Sequence, residues 1–344
     1  MTYSLLPTRP LFKYLLICIV TAALLVAFTF LFALRYLHTP ISALSESVIF
    51  EVASGSSFTR ITANLESAGY LEHPLLFRLL ARWRGVENVI KTGEHEIPAQ
   101  LSPSQLLTSL VQGNIKQYRV TLVEGWTFRQ ALEAIWSSEK TVRELQEYDP
   151  RIISEKMELA VPDPEGLLFP DTYFYTAGTT DLQILRRANS RLNDVLENAW
   201  GQRLGALPYT SAYEALVLAS VIEKESAYGA ERGHVAGVFV RRLETGMRLQ
   251  SDPTVIYGLG EDFDGNLTRS HLQELTPYNT YRIAALPPTP IALAGLESIT
   301  ASLHPLPSDY LYFVAKGNGE HHFSKTLEEH NAAVKIYQKA VTRD

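Results

Sequence analysis

The first feature of the hydrophobic pattern is an uninterrupted apolar run near the N-terminus. Residues 14–34 contain no charged side chain, and the run lies between Lys13 and Arg35. As a helix, this run of 21 residues would be about 31 Å long, which matches the hydrocarbon core of a bilayer. The pattern predicts a single transmembrane helix over residues 14–34.

A cleavable signal peptide is the alternative interpretation of this run, because it also begins with basic residues followed by apolar ones. Its apolar region would be shorter and would end at a small-x-small site. Here the run continues through Phe28 and Phe32 into Arg35, so a retained anchor is favoured.

The orientation of the helix follows from the basic residues beside it. Arg9 and Lys13 precede the run and Arg35 follows it. By the positive-inside rule, residues 1–13 are expected in the cytoplasm and residues after about 40 outside it.

After a predicted linker over residues 35–47, the pattern changes to short segments of mixed type. Strand-like alternation and helical spacing follow one another over residues 48–113, with Ser, Pro and Gly at the segment ends. The predicted strands cover 48–52 and 91–97, and the predicted helices begin near 56, 74 and 102. This order indicates a small α+β binding module.

A polar connecting region, 114–164, separates this module from a larger region over residues 165–344. Helical spacing predicts three helices there, over 180–200, 211–226 and 235–246. Three further segments are rich in Pro, Gly and Tyr and are predicted as strands and ordered loops rather than helices: 248–260, 278–292 and 309–324.

Composition and charge narrow the function classes. The chain has 344 residues, of which 46% are apolar and 20% charged, as in ordinary globular proteins. Its one cysteine, Cys18, excludes an internal disulfide framework. Residues 1–45 contribute +3 to the net charge of −6, so the remainder carries −9, and nucleic acid is not an expected partner.

The sharpest chemical signal is the end of the predicted helix over 211–226. Residues 215–222 are nearly all apolar, and Glu225 follows Ile222 by three positions and Leu218 by seven. This spacing continues the apolar stripe, so the Glu225 carboxyl is expected to point toward protein, where burial raises its pKa toward that of a general acid. Glu223 is rotated away by about 200°. The alternative is that both glutamates cap a solvated helix end.

Paired carboxylates are typical of glycosidases, so a glycosidase would need a second carboxylate beside Glu225. Local turns or caps are the alternative role for such residues beside proline. The candidates are Asp163, Glu165, Asp171 and Asp252. Amide and phenol side chains often line clefts that bind sugars. Side chains of this kind occur close to Asp252 in the sequence and again about 26 positions after it: Gln250, Tyr257, Tyr278, Asn279 and Tyr281.

Other catalytic patterns do not fit. The sequence contains neither G-x-S-x-G nor H-E-x-x-H, and it has no glycine-rich loop with phosphate-binding spacing. His321, His322 and His330 could suggest a metal site, but surface or loop histidines are the favoured interpretation. The sequence predicts no metal and no cofactor.

Five long runs make the chain similar to a known family. They are EGLLFPDTYFY (165–175), LASVIEKES (218–226), GMRLQSDPTVIYGLG (246–260), YNTYRIAALPPTPIALAG (278–295) and YLYFVAKGNGEHHFSKTLEEHN (310–331). Together they resemble the YceG-like endolytic murein transglycosylases, and residues 48–113 resemble the LysM-like subdomain of that family. The implied fold class is α+β: one N-terminal transmembrane helix, a small LysM-like α+β module and a larger mixed α+β catalytic domain over 165–344.

The resemblance implies cleavage of the bond between N-acetylmuramic acid and N-acetylglucosamine in peptidoglycan, with a 1,6-anhydro product. The catalytic glutamate of the family falls on Glu225. The substrate's own C6 hydroxyl supplies the nucleophile, so no second catalytic carboxylate is required. Five residues that match family motif positions are hypothesised to bind the glycan: Gln250, Asp252, Tyr257, Tyr278 and Asn279.

The resemblance also implies where the protein acts. The catalytic domain would lie in the periplasm, anchored to the inner membrane, where it terminates nascent glycan strands near peptidoglycan synthases. This sequence departs from the family pattern at Ser226, where related sequences often have Thr, and varies locally at His321 and His322.

Two alternatives stay open beside this interpretation. In the first, the protein is a noncatalytic peptidoglycan-binding scaffold in which Glu225 only caps a helix. In the second, it is a muramidase that uses water, with Asp252 or Asp171 as the second carboxylate, and its products carry reducing ends.

Overall fold

A computed structural model describes residues 9–53, 55–226 and 228–341, and the chain divides into two compact units, Met1–Gln117 and Tyr118–Asp344. The first unit begins with helix α1, Arg9–His38. Within α1, Lys13–His38 is long and apolar enough to cross a membrane, and its apolar window is exposed throughout. The predicted helix over 14–34 is therefore present, and it continues to His38.

The rest of the first unit is a two-stranded antiparallel sheet with three helices. Its strands pair with Phe50 opposite His95. Ser57 caps the first of the three helices, and Ser102 and Gln105 form a capping box on the last. The elements are β1 (Val48–Val52), α2 (Phe58–Ser67), α3 (Pro74–Arg84), β2 (Gly93–Ile97) and α4 (Pro103–Gln112). The mixed α+β character predicted for 48–113 is confirmed, whereas its likeness to LysM stays a prediction.

The segment predicted as a linker, 35–47, is partly built into this unit. Helix α1 covers its first residues, and Leu44 is completely buried in the core of the module. The backbone N–H of Ile41 donates to the carbonyl of Leu101 at 2.9 Å. The difference arises because Ile41 and Leu44 are isolated apolar residues whose burial depends on contacts with residues about sixty positions away, which local composition does not reveal.

The second unit is mostly helical, with two short two-stranded sheets, β3 with β4 and β5 with β6. Short 3-10 turns cover Gly229–Glu231 and Gly260–Asp262. The remaining elements are β3 (Gln117–Thr121), α5 (Phe128–Trp136), α6 (Pro150–Met157), β4 (Thr172–Thr176), α7 (Asp181–Gly201), α8 (Ala212–Glu225), α9 (Arg232–Glu244), α10 (Asp252–Leu259), α11 (Arg269–Gln273), α12 (Leu296–Leu303), β5 (Tyr312–Ala315), β6 (His321–Ser324) and α13 (Leu327–Val341).

Two apolar cores lie within the second unit. One surrounds α8 and α9, and the other joins β3, α5 and α6 to β4 and α7. Residues 118–164 therefore belong to the same compact unit as residues after 165, and the division differs from the predicted boundary at 165. Tertiary packing is the reason, since Phe128 and Leu132 are completely buried against residues that come later in the chain.

The three helices predicted in the second unit are present as α7, α8 and α9, and a hairpin, Tyr312–Ala315 with His321–Ser324, is present in the predicted strand segment 309–324. The prediction for 248–260 was wrong, because this segment contains helix α10. Pro253 stands in the first turn of α10, where the missing N–H is harmless, so the proline starts the helix rather than breaking it.

Candidate active site

Helix α8 carries the first functional side chain to the centre of the second unit. Ser211 and Glu214 form a capping box at its start, and Ala215–Ile222 are all buried. The last residue of the helix is Glu225, as the apolar stripe requires. Its carboxylate Oε1 accepts a hydrogen bond from the Ser251 hydroxyl at 2.5 Å.

Burial raises the pKa of the Glu225 carboxyl to about 7. The hydrogen bond from Ser251 works against this shift, the negative charge of Asp252 adds to it, and the positive charge of Arg242 lowers it. A carboxyl with this pKa is present in both protonation states near neutral pH, so it can give up a proton and take one back.

The Glu225 side chain lines a cavity of about 490 Å³, a volume in the range of ligand sites. The end of α8, the start of α10, the hairpin β5–β6 and helix α13 all contribute to its wall. The lining consists of Glu225, Arg242, Leu249, Gln250, Asp252, Tyr281, Tyr312, Phe313, Val314, Ala315, His321, Leu327, His330, Asn331 and Val334. The polar and aromatic character of this wall suits a sugar-like ligand.

The segment that brings Gln250 and Ser251 to Glu225 is held by hydrogen bonds to two other elements. Gln250 has a left-handed backbone, with φ of 54°, and its N–H donates to the Thr280 carbonyl at 3.2 Å. The Ser251 N–H donates to the Thr280 hydroxyl at 2.9 Å. The guanidinium of Arg242 donates to the Leu249 carbonyl at 2.7 Å and to Gln250 Oε1 at 3.3 Å.

A second carboxylate, Asp252, lies in the same cavity. Its Oδ1 accepts a hydrogen bond from the Tyr281 hydroxyl at 2.6 Å. Burial and the bond to Asp252 both raise the pKa of the Tyr281 phenol, so the phenol stays a donor at neutral pH. The structure therefore brings together three of the predicted site residues, Glu225, Gln250 and Asp252.

The other three predicted site residues do not line this cavity. The Tyr257 hydroxyl donates to Glu165 Oε2 at 3.2 Å, and the Tyr257 ring packs edge-on against Tyr278 with centroids 5.0 Å apart. The Tyr278 hydroxyl bonds with the hydroxyl of Thr289 at 2.9 Å. These tyrosines occupy a polar cluster around Glu165 instead.

Asn279 has a third kind of environment. It is completely buried, and its amide nitrogen donates to the carbonyls of His271 and Glu274, at 3.0 and 2.6 Å. Its amide oxygen accepts the N–H of Tyr281 at 3.0 Å. Asn279 thus organises the loop that presents Thr280 and Tyr281, and its own polar atoms are already bonded within the protein.

The remaining carboxylate candidates are found in local roles or outside the cavity. Asp163 accepts the N–H of Glu165, as expected of an Asx turn, and Asp171 accepts the N–H of Thr172 and is exposed. Glu165 is buried, and burial raises its pKa to about 7 although it accepts the N–H groups of Phe128 and Gly166.

Glu223, two residues before Glu225, is buried in an ion pair. Arg232 donates to Glu223 Oε1 at 2.9 Å and to Glu297 Oε2 at 3.0 Å, and the Gly295 N–H donates to Glu223 Oε2. The alternative that both glutamates cap a solvated helix end therefore does not describe this structure. Glu223 joins α8 to the start of α12.

Several residues in or beside the cavity were not identified as site residues from the sequence. Tyr281 stood out only as one of several phenol side chains, and Arg242 and Ser251 gave no signal of their own. His321 and His330 stood out only as possible metal ligands. His321 Nδ1 lies 2.9 Å from Glu231 Oε2, and the His330 ring stacks on Tyr312 with centroids 5.3 Å apart.

A carboxyl with a pKa of about 7, open to a polar and aromatic cavity, is the arrangement of an enzyme that uses a carboxylic acid for proton transfer. Residues 50–336 match the model of the YceG-like family. This match covers most of the sequence, and the chain belongs to the YceG-like family.

Relatives with a function in their name are similar over most of the chain. A Bacillus subtilis protein named endolytic murein transglycosylase is 31% identical in an alignment of 309 positions that covers 85% of each chain. A Streptococcus pneumoniae protein of the same name is 28% identical over 86% of this chain and 59% of its own. A crystal structure of a YceG-like protein from Listeria monocytogenes superposes with a TM-score of 0.54 at 29% identity, covering 84% of this chain and 99% of that one.

Proposed function

We propose that this protein is an endolytic murein transglycosylase that cleaves the bond between N-acetylmuramic acid and N-acetylglucosamine in peptidoglycan strands. The observation that carries the proposal is the Glu225 carboxyl, which has a pKa of about 7 and opens into a cavity of ligand size. The name shared by curated relatives over most of the chain supports the same reaction.

The first half of the reaction uses the protonated form of Glu225. Its carboxyl donates a proton to the glycosidic oxygen as the bond from this oxygen to C1 of the muramic sugar breaks. N-acetylglucosamine leaves as the free alcohol, and Glu225 becomes a carboxylate. The Ser251 hydroxyl, which already donates to Oε1, stabilises the charge that forms.

The second half uses this carboxylate as a base. Glu225 accepts the proton of the muramic C6 hydroxyl while the C6 oxygen bonds to C1, which closes a 1,6-anhydro ring. The proton returns to Glu225, no water is consumed, and the enzyme regains its starting state. Because the nucleophile is part of the substrate, the protein has to orient the ring rather than position a water molecule.

We assign glycan binding to the polar side chains that share the cavity with Glu225. Gln250 offers an amide, Asp252 a carboxylate held by Tyr281, and His330 an imidazole. For Tyr257, Tyr278 and Asn279 we propose an indirect role, in which they hold the loops that carry the cavity residues.

A muramidase that uses water is the alternative reaction for the same cavity. Asp252 lies in the same cavity as Glu225 and its charge raises the pKa of that carboxyl, which is the pairing a hydrolase would need. The hydrogen bond from Tyr281 occupies one oxygen of Asp252, and the other could activate water. The two reactions differ by one water molecule in their products.

Location and partners are part of the proposal. We propose that α1 anchors the protein in the inner membrane with residues 1–13 in the cytoplasm and residues after about 40 in the periplasm, where they can reach nascent strands near peptidoglycan synthases. The length and apolar composition of Lys13–His38 support the anchor. The module at 48–113 is proposed to add affinity for the glycan, as a LysM-like domain would.

Mass spectrometry of products from uncrosslinked glycan strands tests the reaction. The full chain in detergent should release products lighter by one water than hydrolysis products, and Glu225→Gln should release them about 10²–10⁴-fold more slowly. Products with reducing ends would instead establish a hydrolase that uses water, for which Asp252 is the candidate second carboxylate. No cleavage by the wild-type chain, with binding retained, would indicate the noncatalytic scaffold.

A further inference from the structure

Helix α3 in the first unit has apolar residues on both of its faces. Phe77 and Ala81 are completely buried in the core of the module. On the other side, Leu75, Leu79 and Trp83 are 66%, 61% and 81% exposed. Spaced four residues apart, these three side chains form a continuous stripe along the helix. No residue in the described part of the chain buries this stripe.

The stripe is flanked by positive charge. Arg78 and Arg82 lie on the same side of the helix as Leu79, and α3 itself contains no acidic residue. Arg82 forms an exposed ion pair with Glu87 at 3.4 Å. An apolar stripe that includes tryptophan and is edged by arginines is typical of helices that lie in the interface of a bilayer.

The start of α3 is in direct contact with the end of α1. The His73 ring, at the N-cap of α3, packs edge-on against Phe32 and Tyr36, with centroids 5.4 and 4.8 Å apart. The Tyr36 hydroxyl accepts the N–H groups of Glu72 and His73, both at 3.2 Å. These contacts fix the first turn of α3 beside the last turns of the apolar helix.

The contact sets the depth of α3 if α1 spans a membrane. Phe32 lies inside the uncharged run and Tyr36 just beyond it, so their side chains occupy the boundary between hydrocarbon and headgroups. His73 must then lie at this boundary as well. Helix α3 begins there and is about 16 Å long, so its exposed stripe starts where a bilayer would bury it.

We propose that α3 is a membrane-surface helix, with Leu75, Leu79 and Trp83 inserted at the interface of the bilayer that α1 spans and with Arg78 and Arg82 facing anionic phospholipid headgroups. This inference rests on the proposed membrane span of α1 and is independent of the reaction at Glu225. It would hold the first unit against the membrane at two points instead of one, which restricts its tilt about the end of α1.

Quenching of a fluorophore by lipids brominated in their chains tests the proposal in the full chain. The protein has one cysteine, Cys18, within α1, so a label there reports whether α1 enters the bilayer. In a Cys18→Ser background, single substitutions Leu75→Cys, Leu79→Cys and Trp83→Cys carry the label along α3. Ala63→Cys, an exposed position on α2, is the matched control.

In vesicles of phosphatidylcholine and phosphatidylglycerol, we expect labels at 75, 79 and 83 to be quenched several-fold more than the label at 63. The double substitution Arg78→Gln and Arg82→Gln should reduce this quenching. The reduction should be smaller in vesicles of phosphatidylcholine alone, which offer the arginines no anionic headgroup. Circular dichroism of each variant checks that the fold is retained, which matters most for Arg78, whose side chain is half-buried.

Three results would overturn the proposal. Quenching at 75, 79 and 83 no stronger than at 63, with Cys18 strongly quenched, would show that α1 spans while α3 stays in water. An unquenched Cys18 would remove the span on which the proposal rests, without affecting glycan cleavage. Disulfide dimers through Leu79→Cys without lipid quenching would assign the stripe to a second copy of the chain.

Discussion

Two glutamates in the second unit, the half-buried Glu225 and the buried Glu165, both have a pKa raised to about 7, and loss of solvation is the main cause for both. Their surroundings differ. Glu165 accepts two backbone N–H groups and the Tyr257 hydroxyl, and it does not line the cavity. Glu225 accepts the Ser251 hydroxyl and opens into the cavity of about 490 Å³.

A raised pKa alone therefore does not identify a catalytic acid. The Glu165 carboxyl is surrounded by hydrogen-bond donors from its own protein and connects chain segments. A carboxyl that lines a cavity, as Glu225 does, can contact a substrate. Helix α10 links both, because Ser251 at its N-cap donates to Glu225 and Tyr257 near its end donates to Glu165.

Substitution of the two glutamates should affect the cleavage rate very differently, and this is the largest difference expected between them. Glu225→Gln removes the proton donor and should lower the cleavage rate by about 10²–10⁴-fold. Glu165→Gln should keep most of its activity per folded molecule, because the amide oxygen still accepts a backbone N–H. Product release from glycan strands, normalised to the folded fraction, is the measurement. Equal losses in both variants would break the distinction.

The second effect separates them by stability. Glu165→Ala leaves the N–H groups of Phe128 and Gly166 and the Tyr257 hydroxyl without their acceptor, which should lower the free energy of unfolding by about 2–4 kcal/mol. Urea unfolding followed by tryptophan fluorescence measures this in a Trp83→Phe background, where Trp126, Trp136 and Trp200 all report on the second unit. Glu165→Gln is the control with a smaller expected loss.

The third effect is the pH dependence of stability at Glu225. Its folded pKa of about 7 exceeds the ordinary value of 4.5, so the native state binds more protons than the unfolded state between these values. Stability therefore falls as pH rises through this window. Glu225→Gln should be more stable than wild type by about 1–3 kcal/mol at pH 8 and equal to it at pH 4. A constant difference at both pH values would contradict a raised pKa.

The smallest effect concerns the Ser251 hydroxyl, which donates to Glu225. Ser251→Ala removes a donor that lowers the pKa of this carboxyl, so the alkaline limb of the pH–rate profile should move upward by about one pH unit or less. Ser302→Ala, which removes another buried hydroxyl bonded within α12, is the control and should leave the profile in place. A downward shift in Ser251→Ala would contradict the assigned hydrogen bond.

Features that depend on local spacing could be predicted from the amino-acid sequence. The uncharged run gave helix α1, apolar periodicity gave α7, α8 and α9, and the position of Glu225 after Ile222 and Leu218 gave the direction of its carboxyl. These inferences succeed because a helix places residues three, four and seven apart on one face, whatever the rest of the chain does.

The side chains that meet at the cavity could be identified only from the folded chain. Ser251 reaches Glu225 across 26 positions, and the predicted site residue Asn279 proved to have its polar atoms bonded inside a loop. Glu165 is buried by Phe128 and Tyr257, which are 37 and 92 positions away. Burial and hydrogen bonding between such distant residues arise from the packing of whole elements, and no short window of sequence contains that information.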